Sequence, residues 1–238
     1  MRLFPGALFG IAAVLAGLSG SMAAQKGGTS VNGQVTIRER PGETTEDLAN
    51  VVVYLEPLDT SVRLRPQAAS PAPRDPRSVI NLQSRQFAPR VQVVLEGSKV
   101  EFRNLDPFSH NVFSKMNGGF DTGVYGRNKT RDNVFREAGV YPLYCNVHPR
   151  MTAFVIALKT PYFTQATSDG RFVIQDVAPG QYRMHVWHDR VSEDVRELTV
   201  PAAGVKGVRA ELDARAYKYV QHKNKFGQDY TSAGGDRY

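Results

Sequence analysis

Tyr144-Cys145-Asn146-Val147-His148-Pro149-Arg150-Met151 is the stretch on which the reading of this chain turns, taken with Ser109-His110-Asn111-Val112-Phe113 upstream. Together they gather a thiol, two imidazoles and a thioether next to segments that read as β-strands. Val140-Tyr141-Pro142-Leu143-Tyr144 leads into the Cys145 loop, and Thr152-Ala153-Phe154-Val155-Ile156-Ala157-Leu158 leads away from it. Both are rich in β-branched and aromatic residues. Upstream, Phe87 to Phe102 forms two β-rich runs broken at Glu96-Gly97-Ser98, and Asn133-Val134-Phe135-Arg136 turns through Glu137-Ala138-Gly139. Apolar runs blur the alternation, as expected in a sandwich core, and helical periodicity is absent. The predicted fold class is all-β.

At 41% hydrophobic and 22% charged, with 21 Gly and 14 Pro in 238 residues, the chain reads as globular and turn-rich, which excludes disorder and a membrane bundle. Its +7 charge is scattered rather than gathered in one run. That favours an acidic protein partner or an anionic surface over a nucleic-acid groove. Met1-Arg2, the apolar stretch Ala7 to Leu18 and the small residues around Ser21-Met22-Ala23 read as an export signal over 1–24, cleaved after Ala23 or Ala24. The apolar run falls short of the ~20 residues a spanning helix needs. The expected mature protein is periplasmic or secreted, with no membrane span.

In an oxidising compartment cysteines usually pair, yet Cys145 is the single one. An internal disulfide is excluded; a buried inert thiol, an intermolecular cross-link or a metal ligand remain. A His three residues on and a Met six residues on favour the ligand. One Cys rules out a four-cysteine iron–sulfur cluster, no Cys-x-x-Cys-His is present for haem, and a Met argues against zinc. Thiolate and thioether suit Cu(I), imidazole suits both copper states, and two His with Cys and a weak Met define an electron-transfer site. The expected cofactor is one type 1 copper, held by His110, Cys145, His148 and Met151. Such a protein carries single electrons and is not an enzyme. Five histidines are too few for a multicopper oxidase, and His185 and His188, three apart on a strand, point to opposite faces. No Ser-His-Asp arrangement or phosphate loop stands out.

The segment 79–158 resembles the cupredoxins, the small blue-copper proteins that include plastocyanin and amicyanin. The likeness rests on Asn104-x-Asp106 before His110-Asn111-Val112, then Gly139-x-Tyr141 leading to Cys145-x-x-His148-x-x-Met151. It implies a Greek-key β-sandwich. It also implies that Asn111 ties the two ligand loops together by hydrogen bonds. By the same likeness the ring edge of His148 reaches solvent through an apolar patch, for which Phe108, Met116, Pro149 and Met151 are candidates. The implied partners are redox proteins, a cytochrome c or a dehydrogenase. Val147 stands where the family usually has Pro, a departure that touches loop rigidity.

The remaining chain makes a second constellation. Val31-Asn32-Gly33-Gln34-Val35-Thr36-Ile37 alternates and Ala49-Asn50-Val51-Val52-Val53-Tyr54-Leu55 reads as a buried strand. Asp169-Gly170-Arg171-Phe172 and Pro179-Gly180-Gln181-Tyr182 follow downstream, in hairpin chemistry. These segments, 30–60 and 159–203, resemble the carboxypeptidase regulatory-like domain, a transthyretin-like sandwich. Because they flank the cupredoxin-like segment, one sandwich inserted in another is expected. The alternative is two strands joining the cupredoxin sheet and a separate C-terminal domain. Residues 61–78, rich in Pro and Arg, read as a linker, and 204–238 as a tail with aromatics interleaved with Lys. The rival function is a copper-delivery or cell-envelope binding module.

Overall fold

Strand pairing across the length of the chain organises this protein. Among the residues described by the computed structural model, 29–59, 78–116 and 118–230, there are sixteen strands and one short 3₁₀ turn, Leu48–Asn50. The expected export signal and nearly all of the expected linker lie outside the described residues. No described helix is long and apolar enough to cross a membrane.

The first strands, β1 (Val31–Arg38) and β2 (Val52–Pro57), do not pair with their successors in sequence. They share their sheets with the last five: β12 (Phe163–Gln165), β13 (Arg171–Ile174), β14 (Gly180–Trp187), β15 (Asp194–Val200) and β16 (Val205–Asp213), of which β15 pairs only with β14. One sheet runs β13-β1-β16 and a second β12-β2-β14-β15. The nine strands between them form two further sheets. β3 (Ser78–Gln83), β4 (Gln86–Ala88), β6 (Ser98–Asn104) and β9 (Thr130–Phe135) align as β4-β3-β6-β9. β5 (Val91–Leu95), β7 (His110–Ser114), β8 (Phe120–Tyr125), β10 (Gly139–Tyr144) and β11 (Thr152–Leu158) align as β5-β11-β10-β7-β8. The chain thus leaves an outer sandwich after β2, builds an inner one, and returns at β12.

Three apolar clusters glue the four sheets. Val35, Val53, Leu55, Tyr162 and Tyr182 fill the outer sandwich, and Val100, Phe102, Phe135, Leu143 and Val155 fill the inner one. Val52, Val91, Val93, Ile156, Leu158, Phe163 and Trp187 form the third, between the sandwiches. β2 and β11 are therefore buried on both faces, Val155 facing the inner core and Ile156 the junction. That is why their sequences read as continuous apolar runs rather than as alternation. Burial of this kind stabilises by roughly 25 cal/mol per Å2 of apolar surface.

Several turns do a different job from the one their residues suggest. Glu96-Gly97 links β5 to β6, and Asp169-Gly170 links β12 to β13, yet in each case the two strands lie in different sheets. The turn chemistry marks a reversal, but sandwich closure decides which sheet receives the next strand. The tail expected from residue 204 begins only after Asp213, because β16 pairs in parallel with β1 from Val205 to Asp213. A register shift between Val31 and Gly33 and the positive φ of 70° at Gly207 break the alternation there, so the strand does not read as one. Gly33 sits at that bulge, where a Cβ would lie 2.0 Å from the carbonyl oxygen of Val208. The linker expected to reach residue 78 stops short of it, since Ser78 opens β3 and pairs with Val100. Ala49 and Asn50, expected to begin β2, lie in the 3₁₀ turn before it.

Candidate metal centre

β7 presents His110 at its first position and is buried along its length. The loop before it is organised by Asn104, whose side-chain amide donates to the carbonyls of Phe108 at 2.9 Å and Tyr125 at 3.1 Å. Its oxygen accepts from the N–H of Asp106 at 2.9 Å. This pins Asp106 beneath His110, with 2.8 Å between the carboxylate and Nε2. A histidine that donates Nε2–H to a carboxylate keeps its lone pair on Nδ1, which fixes the ligating atom and raises its basicity.

The carboxylate is itself held. Ser84 and Arg85, between β3 and β4, both adopt positive φ, 55° and 57°. Left-handed backbone at non-glycine residues costs about 1–2 kcal/mol each. It turns two consecutive N–H groups onto Asp106, at 2.7 and 3.0 Å, an anion-binding concavity. Burial raises the Asp106 pKa, but the N–H groups of Arg85 and Ser84 and the His110 ring outweigh it and hold the group below the ordinary carboxylate value.

The second loop leaves β10 at Tyr144 and is closed on itself. Met151 N–H donates to the His148 carbonyl at 3.1 Å, and Cys145 N–H to the Met151 carbonyl at 3.3 Å. Cys145 Sγ then stands 3.7 Å from Nδ1 of His110 and 3.6 Å from Nδ1 of His148. Among the described residues these three form the one cluster of His, Cys and carboxylate donors converging within 4.8 Å. A metal–sulfur bond of ~2.3 Å and a metal–nitrogen bond of ~2.05 Å, opened by about 110–120°, leave sulfur and nitrogen ~3.6–3.8 Å apart. The spacing fits one ion shared by all three. Met151 is buried in the same cluster as Cys145, with 1% exposure.

The electrostatics suit a cation. Burial pushes the Cys145 thiol pKa up, opposed by the backbone N–H groups of Asn111, Val147 and His148. Burial lowers that of His110, against the pull of Asp106. Both groups are thus neutral at pH 7 without an ion, and a thiolate there needs a positive partner.

The other predicted residues are placed unevenly. The Asn111 side chain donates to Asp121 at 2.5 Å and to the Gly123 carbonyl at 3.1 Å, both on β8, whereas its backbone N–H faces the Cys145 sulfur. The link to the second ligand loop therefore runs through backbone, while the side chain braces β7 on β8. Phe108 packs its ring 5.2 Å from that of His110 and 5.5 Å from that of His148, and Pro149 is half-buried beside the latter. Met116, 52% exposed, stands past the far end of β7 from His110, so the length of a strand separates it from this patch. His148 keeps 6% exposure against 0% for His110. Asp106 was visible only as part of Asn104-x-Asp106, and the tail residues that reach this site gave no signal by spacing.

Residues 156–206, from the end of β11 through most of the return half of the outer sandwich, match the family model of polysaccharide lyase family 4, domain II. No curated protein matches this chain. Solved structures that the chain is similar to include an amicyanin, a purple cupredoxin and a copper-containing nitrite reductase. Amicyanin from Paracoccus versutus is 23% identical, with 44% of this chain and 97% of that one covered at a TM-score of 0.33. A purple cupredoxin from Nitrosopumilus maritimus is 23% identical, with 34% and 99% covered at 0.31. A copper-containing nitrite reductase from Thermus scotoductus is 19% identical, with 52% and 28% covered at 0.33.

Proposed function

We propose that this chain is an exported blue copper protein that binds one type 1 copper at His110, Cys145, His148 and Met151 and passes single electrons between redox partners. The observation that carries this reading is the convergence of two Nδ1 atoms on one buried thiol, at 3.7 and 3.6 Å. The donor set is soft enough for copper and disfavours zinc. Copper bound there supplies one electron at a time by cycling between its two oxidation states.

The chain's own residues prepare the site for that role. Asp106 holds His110 in one tautomer, and the turn at Ser84-Arg85 holds Asp106. The buried walls keep bulk water off the sulfur, and the backbone N–H groups of Asn111, Val147 and His148 favour its anionic form. These contacts are anchored in two sheets, so the donors are placed in advance of the metal. His148, the less buried imidazole, is the exchange edge in this reading, with Phe108 and Pro149 about it. The partner is a cytochrome c or a dehydrogenase, with an acidic docking face to match the +7 charge, and the compartment is the periplasm.

Reconstitution with Cu(II) tests this directly. The expected result is an intense visible thiolate-to-copper absorption, reversible one-electron cycling and electron exchange with cytochrome c. A colourless copper-loaded protein overturns the reading. A coloured one that hands Cu(I) readily to a chelator and exchanges no electrons makes it a delivery protein instead.

A further inference from the structure

We infer that the segment after β16, Ala214–Tyr230, is a clasp on the metal loops, with Tyr230 and Lys225 as positioning residues. The segment has no strand or helix of its own, so its course is set by what it touches. Arg40 of the outer sandwich starts it, donating from Nε to the Arg215 carbonyl at 3.0 Å and from a terminal nitrogen to that of Tyr217. From there it crosses to the inner sandwich, and its polar contacts there fall on the ligand-bearing loops and the strand beside them.

The Tyr230 hydroxyl donates to the carbonyl of Cys145 at 2.7 Å, 85 residues away in sequence. The Lys225 N–H donates to Oδ1 of Asn146, the next residue, at 2.9 Å. The Lys225 ammonium reaches Asp121 at 2.7 Å, and Asp121 in turn accepts from Asn111, the neighbour of His110. His222 stacks on Tyr144 with ring centroids 4.5 Å apart and lies 3.3 Å from the Tyr230 hydroxyl. The residues flanking Cys145 on both sides, and the residue after His110, are therefore tied to one short stretch of chain.

A loop fixed at that many points cannot relax when its sulfur gains or loses a ligand or an electron. The contacts act on Cys145 through its backbone and leave the donor atom free for metal. This inference builds on the copper reading but is separable from it, because none of these contacts uses a ligating atom. It also gives the outer sandwich a part in the site: β16, paired with β1, sets where the clasp begins.

The test compares the full chain with Tyr230→Phe, with Lys225→Met and with a chain ending at Asp213. In the metal-free protein, the rate of Cys145 alkylation by iodoacetamide should rise about tenfold in Tyr230→Phe, the equivalent of ~1.4 kcal/mol. It should rise further in the truncated chain. In the copper-loaded protein the same variants should lose copper to a chelator faster. Tyr230→Phe should also shift the visible absorption and the midpoint potential, with the far-UV spectrum unchanged and the melting temperature lowered by about 2–5 °C at most. Equal alkylation and release rates in folded variants overturn the clasp. So does a Tyr230→Phe that alters only the melting temperature. If the truncated chain fails to fold, the two point variants decide. A wild type that takes up no copper sinks the functional reading, while the alkylation rates still judge the clasp.

Discussion

Two pairs of histidines in this chain meet opposite fates. His110, at the start of β7, and His148, on the loop after β10, are 38 residues apart in sequence and turn the same nitrogen, Nδ1, toward one sulfur. His185, near the end of β14, and His188, just past that end, lie three residues apart and share no partner. His185 stacks on Tyr54 at 4.4 Å, with Glu56 at 3.5 Å from one nitrogen and Glu193 at 3.2 Å from the other. His188, fully buried, stands between Asp47 at 3.4 Å and Asp189 at 3.8 Å. The carboxylates near His185 and those near His188 are different residues, and Nδ1 of His188 accepts from the backbone N–H of Arg190 at 3.3 Å. A metal site needs donors that converge, and proximity in sequence on a strand works against convergence because successive side chains diverge.

The sharpest way to break that contrast is Cys145→Ser, which should abolish the visible absorption of the copper-loaded protein entirely, while the corresponding change at the other pair, His188→Gln, leaves the colour intact. Next comes Arg190→Leu beside the second pair. Arg190 donates to Glu39 at 2.7 and 2.9 Å and to Asp47 at 2.7 Å, with its side chain 17% exposed and that of Glu39 7%. Removing it strands two carboxylates and should lower the unfolding free energy by about 3 kcal/mol in a denaturant titration, with copper affinity unchanged.

Asp106→Asn, beneath the first pair, should do the reverse. It keeps the shape but removes the charge that orients His110, and copper affinity in a competition titration should fall about 10–100-fold. The smallest effect expected is one of pH. Burial holds the His188 pKa below its ordinary 6.5, against the pull of Asp189 and Asp47. As pH falls through about 6.5 the unfolded imidazole takes a proton that the folded one resists, so stability is lost on acidification. In copper-loaded protein, His188→Gln should flatten that part of the stability curve; an unchanged slope would show that His188 does not contribute.

The legible parts of this molecule were those that local chemistry controls. Thr152–Leu158 has the composition of a strand and forms one, β11. The spacing Cys145-x-x-His148-x-x-Met151 is a local feature because one tight loop carries it, and the loop closes by hydrogen bonds between those same residues. What local chemistry does not control was illegible. β16 is disguised by a bulge and a glycine, and Met116 has the right character for the patch yet stands across a strand from it. Ser84 and Arg85 carry no sequence mark of left-handed backbone, since Asp106 imposes it from 21 and 22 residues away.

The sequence by itself determined the all-β class, the unpaired thiol and the residue types that could serve as donors, because strand propensity and ligand softness belong to residue types. Only the tertiary structure decided which sheet each strand joins, that two imidazoles meet one sulfur, and that a segment 85 residues downstream reaches the Cys145 carbonyl. The physical reason is the same in each case. Long-range pairing is settled by which apolar faces must be buried together and by which buried polar groups need partners, and neither is written at any single position.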